Sequence, residues 1–356
     1  MNFNVIYYVP TIPDVWSTDR YQHALALIER ADNSLLIGNN PPPSVLQTKA
    51  SKTVILDSSG VLAKASQAAD IVRKEIRPDG IYVTSYHYEA ALSGLLAHYR
   101  GITWVPDVYE TPAQYRLNNP RSYHQVTSRG LEAMLNRAER TIHSFHPKTP
   151  YQYGSDRHFL TNGAPVSQID PSYLISDSLS IVWVGSPRID RGGEILVKAV
   201  SQLNSEFEVE VYGKIDQRLI SLAKQYGVQK QIHQHGWVTH NEALQAINRA
   251  DVGFAVLPPR TDWLYAPAIK IGEYLACGTI PLVSDFPGSR YIAGNAGVYV
   301  EPSGDSVAKA LIELDKLSTD ERLDRMRRAR HRGETISWES IRSSFANHIG
   351  LNGTNS

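Results

Sequence analysis

The sequence predicts an α/β protein of two domains, each built on a parallel sheet flanked by helices. Along the 356 residues, short apolar runs alternate with segments of helical spacing, a pattern that favours parallel strands joined by right-handed crossovers. A polar, serine-rich stretch at residues 164–178 interrupts the pattern, which then begins again. A chain of this length commonly forms two domains. We therefore expect domains at residues 1–163 and 179–335, a linker at 164–178, and a final helix at 336–350.

The amino-acid composition of the chain excludes several classes of protein. Basic and acidic side chains number 36 each, so no net charge draws the chain towards nucleic acid. The single cysteine, Cys277, excludes an internal disulfide and a cysteine-based metal cluster. No basic region followed by an apolar run opens the chain, and no apolar stretch is long enough to span a bilayer. We expect a cytoplasmic protein whose only membrane association is a peripheral contact with the inner face.

The first domain is predicted from apolar runs that are separated by helical segments. Strands are predicted at residues 5–9, 35–37, 54–56, 81–84, 102–105 and 141–142. Helices are predicted at residues 18–31, 62–76, 88–99 and 128–138.

Three loops of this domain follow strands, where parallel sheets bind ligands. They cover residues 10–19, 85–88 and 106–111. Their polar side chains are Asp14, Asp19, His87, Asp107, Tyr109 and Glu110. A polar cluster at strand ends favours general acid–base chemistry. The alternative is that these residues cap helices, which is our interpretation of Asp19.

The second domain shows the same alternation of apolar runs and helical segments as the first. Strands are predicted at residues 180–185, 207–212, 232–238, 252–257 and 280–283, and helices at 194–203, 219–226, 239–250, 306–316 and 338–349. Thr239 and Glu242 form a capping-box pattern at the start of the third helix. The arginine-rich segment at 321–332 predicts a solvated helix face, with an anionic membrane surface as the alternative contact.

Residues 267–284 predict a helix followed by a buried strand. Pro267 suits the first helical position, and Gly278 falls where the helix ends. Lys270 lies in the first turn, where a cation opposes the helix dipole unless an anion binds there. A diphosphate would satisfy both the backbone N–H groups and the ammonium. Glu273 would face the same ligand and accept hydrogen bonds from sugar or ribose hydroxyls; the alternative is a surface pair of Lys270 and Glu273.

Two arginines follow the first strand of the second domain. Arg188 and Arg191 come just after the turn at Gly185, and guanidinium groups bind phosphate bidentately. With Lys270 at a neighbouring helix start, three cations can converge on one crevice. The alternative is a pair of solvated loop arginines. Neither a Walker loop nor a Gly-x-Gly-x-x-Gly fingerprint is present in the sequence.

These features, in this order, resemble the GT-B glycosyltransferases, specifically the large retaining family four, or glycosyl transferases group 1. The family's Glu-Ala-Met-Ala-Cys-Gly-Thr-Pro run is similar to residues 273–281, and its Gly-x-Val turn to residues 236–238. The family also has a strand followed by a Gly-Arg pair, a loop and a Lys-Gly pair, and this pattern is similar to residues 185–192. The family's Pro-Asn-Gly turn is similar to Asn162-Gly163. The resemblance spans nearly the whole chain and is strongest at residues 181–302.

The sequence also departs from the family pattern. Of two family glutamates eight positions apart, the second is Glu273, while the first falls on Tyr265, with Asp262 as a candidate replacement. The family's phosphate-binding arginine falls on Ser186, and its lysine on Arg191.

Two further departures concern the first domain and the Lys270 helix. The Gly-Gly pair of the first loop falls on Trp16-Ser17, and the strand-end histidine falls on Tyr109, next to Glu110. Residues 267–274 are similar to a Pro-x-Lys-x-x-Glu-Tyr variant of polysaccharide and lipid-linked sugar transferases, including the inverting glucuronosyltransferases of exopolysaccharide synthesis. In that variant the lysine binds the donor diphosphate, and an acidic residue of the first domain is the base.

The resemblance implies a GT-B fold, with two Rossmann-like domains whose parallel sheets face each other across a cleft. It implies an enzyme that moves a sugar from a UDP- or GDP-sugar to a hydroxyl of a glycan or lipid-linked acceptor, in polysaccharide or glycoconjugate synthesis, with no metal required. The alternatives are a nucleotide-sugar epimerase of the same fold and a non-catalytic partner subunit.

The same resemblance assigns roles to residues. The donor-binding set is Gly185, Ser186, Arg188, Arg191, Tyr212, Gly213, Trp237, Val238, Ile269, Lys270 and Glu273. The acceptor-binding residues are Asp14 and Trp16. Glu110 is the catalytic base if the reaction inverts, whereas His87 and Tyr109 orient groups if it retains.

Overall fold

The computed structural model describes residues 2–16, 18–110, 122–175, 178–204, 207–214 and 216–351, without the side chains of residues 122–124 and 262. The chain divides into two compact units, one formed by Met1–Leu160 with Glu339–Ser356 and the other by Thr161–Trp338. Each unit contains a sheet of parallel strands flanked by helices. The predicted α/β class with parallel sheets is therefore confirmed.

The sheet of the first unit has seven strands within the described residues, in the order β3-β2-β1-β4-β5-β6-β7. The strands are β1 Phe3–Tyr8, β2 Ser34–Gly38, β3 Lys52–Ile55, β4 Ile76–Ser85, β5 Thr103–Val108, β6 Arg140–His143 and β7 Asp156–Phe159. The helices are α1 Asp19–Arg30, α2 Ser44–Lys49, α3 Val61–Glu75, α4 Tyr88–His98 and α5 Ser122–Leu135. The central strands are buried on both faces, as β2 is throughout, which explains why they appear as apolar runs in the sequence.

The last helix, Trp338–Ile349, packs on the first unit through residues near its C-terminal end. The Phe345 ring stacks on the His23 imidazole, with ring centroids 4.0 Å apart. The Arg342 guanidinium donates a hydrogen bond of 2.6 Å to the side-chain oxygen of Gln22. Both partners lie on α1, so this helix contributes to the core beside the carboxyl end of the first sheet.

The sheet of the second unit has six strands among the described residues, in the order β10-β9-β8-β11-β12-β13. The strands are β8 Ser180–Val184, β9 Glu208–Tyr212, β10 Ile232–Gly236, β11 Val252–Ala255, β12 Ile280–Ser284 and β13 Val298–Val300. The helices are α6 Gly193–Val200, α7 Gln217–Gln225, α8 His240–Ile247, α9 Thr261–Leu264, α10 Ile269–Cys277, α11 Pro287–Ala293, α12 Gly304–Asp315 and α13 Thr319–Thr335; the final helix is α14. The predicted capping box of Thr239 and Glu242 is present at the start of α8.

Residues 164–175, which were expected to be a linker, pack within the second unit. The Ala164 N–H donates to Ile336 O over 2.8 Å, and Trp338 N–H donates to Ala164 O over 3.1 Å. Ala164 and Ile169 are both buried in the hydrophobic core of this unit. The few apolar residues of the polar stretch thus attach it to the fold, which its overall composition does not reveal.

Helix α10 begins two residues later than predicted. Ala268 is its N-cap and Ile269 its first residue, so Pro267 precedes the helix instead of opening it. The Pro267 carbonyl accepts a hydrogen bond of 2.5 Å from the Asn162 side chain, which is distant in the sequence. The predicted end is confirmed, because Gly278 has φ +72° and terminates the helix. The strand that follows, β12, is fully buried, as predicted.

Every helix in the described part of the chain is too short or too polar to cross a bilayer.

We predict that Gly253→Ala destabilises the second unit. Gly253 lies in β11 under the ring of Tyr274, and an added Cβ would lie only 2.4 Å from that ring. Tyr274 cannot retreat easily, because it is fully buried and its hydroxyl donates to Phe254 O. Overpacking of this kind costs about 1–3 kcal/mol. Chemical denaturation should show this loss of unfolding free energy.

The matched control is Gly130→Ala in helix α5, where the nearest atom to an added Cβ is the Tyr88 hydroxyl at 3.5 Å. There alanine should stabilise by about 0.5–1 kcal/mol, because it reduces the flexibility of the unfolded chain. Equal effects of the two substitutions would contradict the packing argument.

Candidate functional site

Three glycine turns meet at the carboxyl ends of strands β8, β9 and β10. Gly185, Gly213 and Gly236 all have positive φ angles, of +112°, +130° and +73°. The Gly185 N–H donates to Tyr212 O over 3.0 Å, and Gly213 N–H donates to Gly236 O over 2.6 Å. An added Cβ on Gly213 would lie 1.8 Å from Gly185 O. Only glycine allows these backbones to approach so closely, and the result is a strand-end site lined by backbone.

The loop after Gly185 is held by its own contacts. Gly192 has φ +97°, and a Cβ there would lie 2.0 Å from Val256 O, so the loop is fixed against the end of β11. The Arg188 guanidinium forms two hydrogen bonds with the Asp190 carboxylate, of 2.9 and 2.6 Å. Arg188 is therefore engaged within its own loop, and its charge is compensated there.

Lys270 reaches the Gly185 turn from the first turn of α10. Its Nζ lies 3.6 Å from the position of a Cβ on Gly185 and 5.7 Å from the centroid of the Trp183 ring. Burial and, to a smaller extent, the positive charge of Arg191 lower the pKa of the Lys270 ammonium to about 8, against the opposing effect of Glu273. Of the three predicted cations, Lys270 and Arg191 are thus brought close together.

Neither of these two cations is neutralised by a direct contact. Within the described ranges, the Lys270 ammonium and the Arg191 guanidinium make no side-chain hydrogen bond or ion pair. Two neighbouring cations beside a backbone turn and a helix N-terminus form a site that favours an anion. We call Lys270, Arg191 and the Gly185 turn the anion site.

Glu273 lies one helical turn beyond Lys270 and is largely buried. Its carboxylate accepts a hydrogen bond of 3.0 Å from His240 Nε2 at the start of α8. His240 was not among the predicted site residues, although it follows the capping residue Thr239 and the turn at 236–238, at a strand end. The polar side chains of Glu273 and His240 therefore lie together near the anion site.

The remaining residues predicted to bind the donor lie on the surrounding turns. The Tyr212 ring stacks on His235, with centroids 4.4 Å apart, and Trp237 is 82% exposed. Ser186 is exposed, while Val238 and Ile269 are half-buried. The side chain of Asp262, the candidate replacement for the missing glutamate at Tyr265, lies outside the described residues.

The spacing before Lys270 also limits one resemblance. Two residues, and not one, separate Pro267 from Lys270. The agreement with the Pro-x-Lys-x-x-Glu-Tyr variant is therefore restricted to Lys-x-x-Glu-Tyr.

The three predicted catalytic residues of the first unit come together in one aromatic cluster, defined by Tyr86, His87, Tyr109, Glu110 and Arg20. The Tyr86 hydroxyl donates to the Glu110 carboxylate, and its ring meets the Tyr109 ring edge-on at 5.1 Å. His87 Nδ1 lies 3.0 Å from Ser85 Oγ and 3.4 Å from the Tyr109 hydroxyl. Arg20 Cζ lies 5.4 Å from the Tyr109 ring centroid.

Burial sets the protonation of this aromatic cluster. It raises the pKa values of Tyr86 and Tyr109 and lowers the pKa of the His87 imidazole. The two phenols therefore stay protonated as donors, and His87 is neutral at pH 7. Tyr86 was within a predicted strand-end loop but was not selected, whereas nothing in the sequence placed Arg20 beside Tyr109.

The two residues predicted to bind the acceptor lie on the loop after β1: Asp14 is exposed and Trp16 half-buried.

A buried polar group lies behind this cluster. Asp107, fully buried at the end of β5, accepts hydrogen bonds on one carboxylate oxygen from the Tyr7 hydroxyl at 2.8 Å and from His23 Nδ1 at 2.9 Å. Burial raises the pKa of the nearby Asp19 carboxyl to about 6; the His23 imidazole opposes this shift and Asp107 adds to it. Asp107 and Asp19 are thus part of the internal support of the cluster.

Residues 178–316 match the family model of glycosyl transferases group 1. That range contains the three glycine turns and the anion site. The curated proteins give no match to this sequence.

Several solved structures share the fold at low sequence identity. A glycosyltransferase from Rickettsia africae is 16% identical over 100% of both chains, with a TM-score of 0.73. Sucrose-phosphate synthase from Thermosynechococcus elongatus is 15% identical over 97% of this chain and 98% of its own, with a TM-score of 0.75. HepE from Anabaena, in complex with UDP, is 12% identical over 99% of this chain and 100% of its own, with a TM-score of 0.77. The fold is that of the GT-B glycosyltransferases, and with the family match it supports a glycosyltransferase enzyme.

We predict that Asp19→Asn stabilises the protein at neutral pH. The folded pKa of about 6 exceeds the ordinary value of 3.8, so the stability provided by the protonated carboxyl is complete below about pH 4 and is lost as pH rises through about 6. At pH 7 the substitution removes a disfavoured charge and should raise the unfolding free energy by about 1–3 kcal/mol.

Chemical denaturation at a series of pH values measures this effect. The difference between Asp19→Asn and the unmodified protein should close as the pH falls below the folded pKa. The exposed Asp14→Asn should change stability by less than about 0.5 kcal/mol throughout. A difference between Asp19→Asn and the unmodified protein that grows towards low pH would show that the sign is wrong.

Proposed function

We propose that this protein transfers a sugar from a nucleoside diphosphate sugar to a hydroxyl of a glycan or lipid-linked acceptor. The observation that carries the proposal is the anion site, where neither of two neighbouring cations forms a direct ion pair with a carboxylate among the described residues. A diphosphate supplies the negative charge that this site lacks. The HepE structures with UDP and with UDP-glucose make a uridine nucleotide the first donor to test, with GDP as the comparison.

The donor would be held by its diphosphate and by its hydroxyl groups. Lys270, Arg191 and the N–H groups at the start of α10 would bind the diphosphate, while Glu273 would accept hydrogen bonds from ribose or sugar hydroxyls. The turns at Gly213 and at 236–238 would border the base. Arg188 stays a candidate for the diphosphate, because its pair with Asp190 is exposed to solvent and such pairs are weak.

The reaction forms a bond between the acceptor oxygen and the anomeric carbon and breaks the bond from that carbon to the diphosphate oxygen. The departing electron pair stays on the diphosphate, where the Lys270 and Arg191 charges stabilise it, so no metal is required. In an inverting reaction Glu110, oriented by Tyr86, takes the acceptor proton. In a retaining reaction of the family-four type, the acceptor proton would pass to the departing diphosphate oxygen, and His87 and Tyr109 would orient the reacting groups. In either case Asp14 and Trp16 would border the acceptor.

We extend the proposal to polysaccharide or glycoconjugate synthesis in the cytoplasm. The helix α13 supports a peripheral contact with an anionic membrane through its exposed Arg327 and Arg328. The predicted solvated face is limited to such residues, because Arg322 is buried and both Arg330 and Arg332 donate to backbone carbonyls of the second unit. Product analysis with donor alone, and with added glycan or lipid-linked acceptors, separates glycosyl transfer from epimerisation and from a subunit without turnover.

We predict that Lys270→Ala weakens UDP binding roughly tenfold to one-hundredfold, as the loss of a charge-assisted hydrogen bond implies. Isothermal titration calorimetry measures the affinity. The control is Lys309→Ala on α12, whose side chain is 80% exposed, and it should leave affinity unchanged. An unaltered UDP affinity in Lys270→Ala would remove the basis of the proposal.

The pH dependence of UDP binding gives a second test of the same lysine. Because the pKa of Lys270 is about 8, the free protein loses this charge as pH rises through that value, and UDP affinity should fall by up to tenfold per pH unit above it. Lys270→Arg should remove this fall, since a guanidinium stays charged. A flat profile in the unmodified protein would contradict the role of the ammonium.

A further inference from the structure

Two glutamates and two histidines share one face at the edge of the second sheet. Glu208 and Glu210 lie on β9, and His233 and His235 lie on the edge strand β10. Alternate residues of a strand point to the same face, and His233 is paired in register with Glu210. Val209, between the two glutamates, is buried in the core on the opposite face. The four polar side chains therefore form a compact group outside the anion site.

Three of these side chains present ligand atoms to a common point. One atom each from Glu208, Glu210 and His233 lie within 4.8 Å of one another. His233 Nε2 lies 3.6 Å from Glu208 Oε1, which is too long for a good hydrogen bond. Two ligands on a tetrahedral ion with bonds of about 2.1 Å are separated by about 3.4 Å. The observed separation therefore suits shared coordination better than direct pairing.

The environment of His233 favours the same interpretation. Its Nε2 atom is buried and makes no hydrogen bond within the described part of the chain, although the ring as a whole is half-buried. The Glu208 carboxylate lies beyond good hydrogen-bond distance of this nitrogen, and the Glu210 carboxylate is contacted by His235. A divalent cation would satisfy the nitrogen and compensate both carboxylates.

The fourth side chain supports Glu210. His235 Nε2 contacts the Glu210 carboxylate, and the His235 ring is stacked on Tyr212 at 4.4 Å with an interplanar angle of 11°. An imidazole held by stacking fixes the direction of the carboxylate that it contacts. His235 is thus a positioning residue.

We propose that Glu208, Glu210 and His233 bind one divalent transition-metal ion through two carboxylates and one imidazole. Nitrogen and oxygen ligands in this number suit Zn²⁺, with water completing the tetrahedron. The ion cross-links β9 to the edge strand β10, and these strands lead directly to Gly213 and Gly236. The role is structural, and the site is separate from the group-transfer chemistry proposed above.

The experiment titrates the full-length, chelator-treated protein with ZnCl₂. Equilibrium dialysis should give one tightly bound ion, and the melting temperature should rise with Zn²⁺ concentration by mass action. Co²⁺ used as a probe should give the intense visible absorption of a tetrahedral site. His233→Ala and Glu210→Gln should each weaken binding at least tenfold and abolish the Co²⁺ spectrum.

Two controls keep the test decisive. His331→Ala removes a surface imidazole that lies 3.9 Å from the Glu334 carboxylate on α13, and it should leave the Zn²⁺ affinity unchanged. Glu208→Gln alters a side chain that is 63% exposed, so it tests the site even if substitutions nearer the core impair folding. The proposal is overturned if the unmodified protein shows no melting shift and no tetrahedral spectrum, or if Glu208→Gln binds Zn²⁺ as tightly as the unmodified protein.

Discussion

The ammonium of Lys270 at the start of α10, which forms no direct ion pair within the described residues, underlies the chemistry proposed for the second unit. Desolvating an ammonium costs free energy, and proteins usually offset the cost with a carboxylate. Here the ammonium lies near the Trp183 ring and the Arg191 charge, and the Glu273 carboxylate only partly offsets the cost, so the pKa of Lys270 stays lowered. A bound dianion would restore the balance. Part of the free energy that desolvation of the ammonium costs would thereby be recovered on binding, which is why we propose an anionic ligand.

The backbone around this charge is arranged before any ligand arrives. Gly213 can approach Gly185 O only because it has no Cβ, and the same holds for Gly192 against Val256 O. These contacts fix the turns at the ends of β8 and β9 and the loop that leads into α6. Preorganised dipoles stabilise developing charge without reorganisation cost during reaction. The glycines therefore contribute to function through close packing as well as through their positive φ angles.

The sequence predicted those parts of the structure that depend on neighbouring residues. The end of α10 at Gly278, the capping box of α8 and the buried strand β12 each follow from a local pattern. Two elements of the first unit were missed for local reasons as well. Helix α2 follows directly on Pro43 and has few apolar residues, and strand β7 carries one apolar residue in four.

Long-range contacts explain the remaining differences between the predicted and the observed structure. The start of α10 depends on Asn162, which is 105 residues away from Pro267, and spacing alone cannot indicate that bond. The placement of Arg20 over Tyr109 likewise joins a helix to a distant strand end. Arg188 shows the opposite case: its partner in the structure, Asp190, is only two residues away, and the sequence prediction did not consider this pair.

Asp107 and Glu110 lie three residues apart, and their carboxylates differ in burial and in hydrogen-bond partners. Asp107 is fully buried, and one of its oxygens accepts from both Tyr7 and His23, so it cannot meet an acceptor. Glu110 is exposed just beyond the same strand and accepts from the Tyr86 hydroxyl. Burial raises the pKa of Tyr86 and the Glu110 charge raises it further, so the phenol keeps its proton and continues to orient the carboxylate. Asp107 therefore supports the strand end, and of these two carboxylates only Glu110 is exposed as the proposed base requires.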